Sequence, residues 1–167
     1  IQIVVISRSP WATLVPSKRL SNPVAGSPPK DEHWDDWGTF IYELIERYDG
    51  DGIGDAFSMD HQVIKILSVQ GEIEFPDHWS KWAGTFENYH RLLEVTSRYA
   101  KKAHTGVLIA RAGASVGSFF DSDPPTDVIQ QVAKTKPLAK RVFAFWDFSL
   151  NHHESYDLFA IHTNRDY

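Results

Sequence analysis

The stretch VIKILSVQGEIEFPDHWSKWAGTFENYHRLL (residues 63–93) decides how the chain folds. It opens as a β-branched apolar run, breaks at Gly71, and passes through a loop holding Pro76, Trp79, Trp82 and Gly84. It then resumes with Phe86, Tyr89, Leu92 and Leu93 at helical spacing, behind a Thr85 placed to cap the helix. Strand, long loop and helix in this order make the repeating unit of parallel α/β proteins, where the helix carries the chain back over the sheet.

The same unit recurs on either side. Upstream, IQIVVIS (residues 1–7) predicts a first strand buried on both faces. RSPWATLVPSKRLSNPVAGSPPKD (residues 8–31) reads as a long loop. Trp34, Trp37, Ile41, Leu44, Ile45 and Tyr48 then mark an amphipathic helix. Its end, ERYDGDGIGDA (residues 46–56), has the look of a calcium loop. Counted from Asp49, however, position 5 is Ile53 and position 12 is Asp60, where an EF-hand needs an oxygen ligand and a glutamate. A glycine-rich stop after a helix accounts for it, and no metal is expected.

Downstream, the helix continues through Thr96, Ala100 and Ala103, and GVLIARAG (residues 106–113) gives a third strand. After SVGSFFDSDPP (residues 115–125), a short helix is expected from about Thr126 with Val128, Ile129 and Val132 inward. RVFAFWDFSL (residues 141–150) reads as a fourth strand, followed by NHHESYDLFAIHTNRDY (residues 151–167). The alternation predicts parallel strands with right-handed crossovers. No glycine-rich phosphate loop is present, which disfavours a nucleotide-binding sheet and any nucleotide cofactor. The fold class expected is α/β of (β/α)8 TIM-barrel type, with about four β/α units, as one partial-barrel domain over residues 1–167.

Composition narrows the function. The 167 residues are 42% hydrophobic with six tryptophans, enough for a sizeable core. A net charge of −5 with scattered Lys and Arg excludes a nucleic-acid footprint. No apolar run reaches the roughly 18 residues of a membrane span. With no cysteine there is no disulfide or thiolate chemistry. No leader pattern precedes Ile1, so the chain reads as a mature product or a fragment.

The chemistry concentrates at strand ends. Glu72 stands where an apolar strand runs out into an aromatic loop, and partial desolvation there favours the protonated carboxyl that a proton donor needs. The competing reading is that Glu72 and Glu74 only solvate a strand end. Trp11, Trp79 and Trp82 lie in loops after strands, where aromatic faces could stack on sugar rings; ordinary packing is the alternative. His152 and His153 are adjacent and diverge, without metal-site spacing, and no GxSxG elbow supports a serine triad.

Two longer stretches carry a family resemblance. WDDWGTFIYELIERYDGDGIGDA (residues 34–56), followed by residues 63–103, resembles the clan A glycoside hydrolases, particularly the β-xylosidase-like family 39. VLIARAGAS and VFAFWDFSL resemble the two strands that follow, so the likeness spans nearly the whole chain. It implies a (β/α)8 barrel, of which this chain would supply about strands three to six, and retaining hydrolysis by two glutamates. Glu72 matches the acid/base, and the nucleophile glutamate would lie beyond Tyr167. Glu74, Ser149 and the three tryptophans would then contact substrate.

Two positions depart from the family pattern. Gly71 stands where an asparagine precedes the acid/base, and Ser149 where a histidine is common. The implied partner is an oligo- or polysaccharide or an aryl glycoside, with no cofactor, and an extracellular or periplasmic location follows by analogy. Three readings stay open: a barrel glycosidase, a non-catalytic carbohydrate-binding relative, and a half-barrel that associates with itself because open parallel edges and an unfilled interior need cover.

Overall fold

The structure is a computed structural model that describes residues 1–16, 25–56, 63–74, 82–115 and 137–162. In chain order, its elements are β1 (Gln2–Val5), α1 (Trp34–Glu46), β2 (Ile66–Val69), α2 (Phe86–Ala103), β3 (Leu108–Ser115), α3 (Pro137–Asn151) and β4 (Leu158–His162). Short 3-10 turns precede α1 (Asp31–His33) and follow α3 (His153–Ser155).

The four strands form one parallel sheet in the order β1-β2-β3-β4. Each strand therefore lies beside its neighbour in sequence. A doubly wound sheet would reverse its direction of growth at a switch point, and these four strands contain no such reversal.

Strand alternation sorts the two faces of the sheet. Val5, Leu67, Val69 and Ile109 point into the layer packed by the helices and belong to the main core, with Ile3 packed against it. Gln2, Val4, Ser68 and Leu108 occupy the opposite face, where the Gln2 amide donates to the Ser68 hydroxyl at 2.8 Å. Val4 is 59% exposed and Leu108 41% exposed. The expected two-sided burial of the first strand is thus corrected: within the described residues, only its helix-facing side is covered.

The helices form for local reasons that the sequence carries. Thr85 caps α2 through a reciprocal pair of bonds with Asn88, each at 3.2 Å. Helices α1 and α2 cross closely at Gly38, where an added Cβ would stand 2.4 Å from the Tyr99 ring. Nearby, the Trp37 indole donates to the Thr96 hydroxyl at 2.9 Å.

The main departure from the sequence reading is RVFAFWDFSL, which lies in helix α3 and is not a strand. A ten-residue apolar run fits either element by hydrophobicity alone. Burial resolves the case: Val142, Phe145 and Ser149 are buried while Lys140, Ala144 and Asp147 are exposed, a spacing of three to four. The fourth strand is instead LFAIH, inside the segment that the sequence reading left unassigned. The helix expected near Thr126 lies outside the described residues.

Candidate active site

The carboxyl ends of β2 and β3 are where the ladder stops and the side chains become unusual. Pairing of the two strands runs from Ile66 with Leu108 to Val69 with Arg111. Beyond that point the Tyr89 hydroxyl takes over: it donates to the Val69 carbonyl and accepts from the Ala112 N–H. Burial pushes the Tyr89 phenol well above its ordinary range, so it stays protonated and keeps both bonds.

Once released from the ladder, the β2 backbone turns left-handed twice. Gln70 has φ 62° and Glu72 has φ 34°, the only non-glycine residues with positive φ among those described. Left-handed backbone at a residue with a Cβ costs about 1–2 kcal/mol. Such strain persists where neighbours over-determine it, and it gathers at functional sites. Gln70 is held by its N–H on the Val5 carbonyl at 2.9 Å and by its buried side chain against Gly26, where even a Cβ would collide. Ile73, fully buried, anchors the far side. Glu72 is lifted between them, half-buried.

Glu74 lies apart from Glu72 in environment. It is fully buried, its carbonyl accepts from the Arg141 guanidinium at 2.8 Å, and its charge reaches Tyr89 and Arg111. Arg111 is itself buried between the rings of Phe145 and Phe159, at 4.5 and 3.6 Å. Burial lowers its pKa, and the neighbouring Tyr89, Tyr156 and Glu74 oppose that fall. A sequence pattern offers little warning of Arg111, since one cation in an apolar strand reads as an edge residue.

The other expected binding residues separate. Trp82 is 2% exposed, its indole donates to the Thr85 carbonyl at 3.0 Å, and its ring lies 5.9 Å from that of Tyr89. No face of it is open to a sugar, so Trp82 reads as packing. Ser149 is corrected from a strand end to helix α3, where it is buried and donates to the Phe145 carbonyl at 2.7 Å. Trp79 lies outside the described residues. Trp11 is exposed, on a cavity lined also by His33, Asp36, Trp37 and Phe40 and by none of Glu72, Glu74 and Trp82. The spacing HWDDW did hold a signal for this second group, because His33 and Asp36 at i, i+3 share a helix face.

The turn after α1 behaves as a helix stop. Gly50, Gly52 and Gly54 all have positive φ, and the Asp49, Asp51 and Asp55 carboxylates accept loop N–H bonds. Their oxygens approach within 4.8 Å of one another, the one such group among the described residues, and those bonds account for the convergence. No helix among the described residues is long and apolar enough to cross a membrane.

No family model and no curated relative matches the chain. Among solved structures, a glucosidase from Croceicoccus marinus aligns at TM-score 0.44 and 11% identity, covering 83% of this chain and 32% of that one. The chain thus spans under a third of that enzyme's length, at a similarity too shallow to assign a family.

Proposed function

We propose that the chain is part of a (β/α)8 barrel glycoside hydrolase in which Glu72 is the general acid/base. The observation that carries this reading is the left-handed backbone at Gln70 and Glu72, which raises a half-buried carboxyl at the carboxyl end of a parallel strand. That is the end where barrel enzymes keep their chemistry. The one-way strand order agrees with a barrel wall.

In this mechanism Glu72 protonates the glycosidic oxygen as the C–O bond breaks, then takes a proton from the water that releases the sugar. A retaining pair needs a second carboxylate about 5–5.5 Å away. Glu74, buried among Tyr89 and Arg111, does not serve. The nucleophile is assigned to a strand outside residues 1–167.

Glu72→Gln tests the reading on the complete protein. Hydrolysis of glycosides with poor leaving groups should fall about 10²–10⁴-fold. Dinitrophenyl glycosides, whose leaving group needs no proton, should lose far less in the bond-breaking step. Equal loss on both substrates would point to a structural role, and no loss on either would remove Glu72 from the reaction. Intact sugar affinity without any hydrolysis in the parent protein would favour the binding relative, in which Gly71 marks the departure from catalysis. Self-association is the second reading, favoured by the exposure of Val4 and Leu108 on the sheet face away from the helices.

A further inference from the structure

The adjacent histidines after α3 part company in the structure. His153 is exposed, with its Nδ1 3.2 Å from the Leu150 carbonyl. His152 stacks on Phe148 and brings its ring within 4.6 Å, centroid to centroid, of His90 on α2. Glu94 stands one helical turn on from His90, and Glu154 lies in the 3-10 turn that leads to β4.

Hydrogen bonds fix the tautomer of both rings. The Ser155 hydroxyl donates to the His152 carbonyl at 3.2 Å, so toward His90 it can only accept. His90 Nδ1, 3.1 Å from that oxygen, therefore carries a proton. His152 Nδ1 lies 2.8 Å from the Phe148 carbonyl, which has no proton to give, so it is a donor too. In the neutral rings both Nε2 atoms are left with lone pairs. His90 Nε2 lies 3.4 Å from a Glu94 oxygen and 3.8 Å from a Glu154 oxygen. Three electron-pair donors this close need a cation among them.

A proton on His90 Nε2 would satisfy that ring alone. A metal ion satisfies both rings, and a ring N–H given to a carbonyl or other acceptor is how metal-binding histidines are held. Two imidazoles on one tetrahedral ion, with bonds of about 2.0–2.1 Å, put their ring centres roughly 5 Å apart. The 4.6 Å found here is close to that. Glu94 and Glu154 are exposed, so each carboxylate can swing onto an ion without moving the backbone. We infer that His90, His152, Glu94 and Glu154 bind a divalent cation of the zinc type, tying α2 to the turn between α3 and β4. Two imidazoles favour zinc over calcium, which takes oxygen ligands. Four protein ligands leave no open position, so the role is structural. The inference goes beyond the reaction proposed for Glu72 and does not rest on it.

Calorimetric titration of the complete protein, first stripped by a chelator, with zinc chloride tests the site. One equivalent should bind and raise Tm. His90→Gln should abolish binding. Glu154→Gln, on the exposed turn, and His152→Phe, which keeps a ring against Phe148, should each weaken it about tenfold or more. Calcium should not compete. Asp51→Asn should change nothing, although the turn after α1 also gathers carboxylates. Zinc binding that survives His90→Gln and Glu154→Gln, or that disappears in Asp51→Asn, would overturn the assignment. So would an absence of binding at millimolar zinc, which would leave a protonated His90 between two carboxylates. Near-UV circular dichroism separates a lost site from a lost fold. Glu72→Gln should keep the zinc site whatever it does to hydrolysis, so the two readings fail independently.

Discussion

Tyr89 joins two strands after their own pairing has ended. Its hydroxyl bridges the Val69 carbonyl and the Ala112 N–H, both buried, so no water stands ready to replace it. Tyr89→Phe keeps the ring and removes both bonds. Leaving two buried backbone groups unpaired should cost about 2–4 kcal/mol, read as a fall in the urea midpoint with unchanged slope. Glu72 and Gln70 lie just past this bridge with their backbone left-handed. A loosened bridge should therefore also lower any activity that depends on the position of Glu72.

Helix α2 shows what capping adds at the level of an element. Besides the Thr85–Asn88 pair, the Thr85 hydroxyl bonds the Glu87 carboxylate, and this bond, with backbone N–H donation, holds the Glu87 pKa below its ordinary value. A depressed carboxyl stabilises the fold above its unfolded pKa, and that contribution is lost as pH falls through the folded one. Glu87→Gln should accordingly lower Tm at pH 7. The gap between variant and parent should close once pH drops below the ordinary carboxylate range, about pH 4 and lower. A gap that persists at pH 3 would trace the effect to packing and not to charge.

For the whole molecule, the sheet face away from the helices matters most. Helices cover one side; on the other, Val4 and Leu108 are exposed while Ser68 and Ala110 are buried. Strand edges and apolar faces left in this state tend to be covered by further strands or by another copy. For residues 1–167, sedimentation should show mass rising with concentration above 19.0 kDa. Val4→Lys, which places a charge on the same face, should shift the equilibrium toward monomer. A constant 19.0 kDa at every concentration would count against association through this face.

The sequence by itself determined the alternation of strands and helices as far as β3, the cap at Thr85, the glycine stop after α1 and the position of Glu72 at a strand end. Each of these rests on neighbours a few residues apart, where period, capping and turn chemistry act directly. Only the tertiary structure decided that RVFAFWDFSL is helical, because its apolar run satisfies both periods until packing selects Val142, Phe145 and Ser149 as the inward set. The same holds for the burial of Trp82, the separation of Trp11 from Glu72, and the enclosure of Arg111 between two rings. Those facts depend on residues distant in the chain, and composition cannot tell an aromatic that packs from one that waits for a ligand.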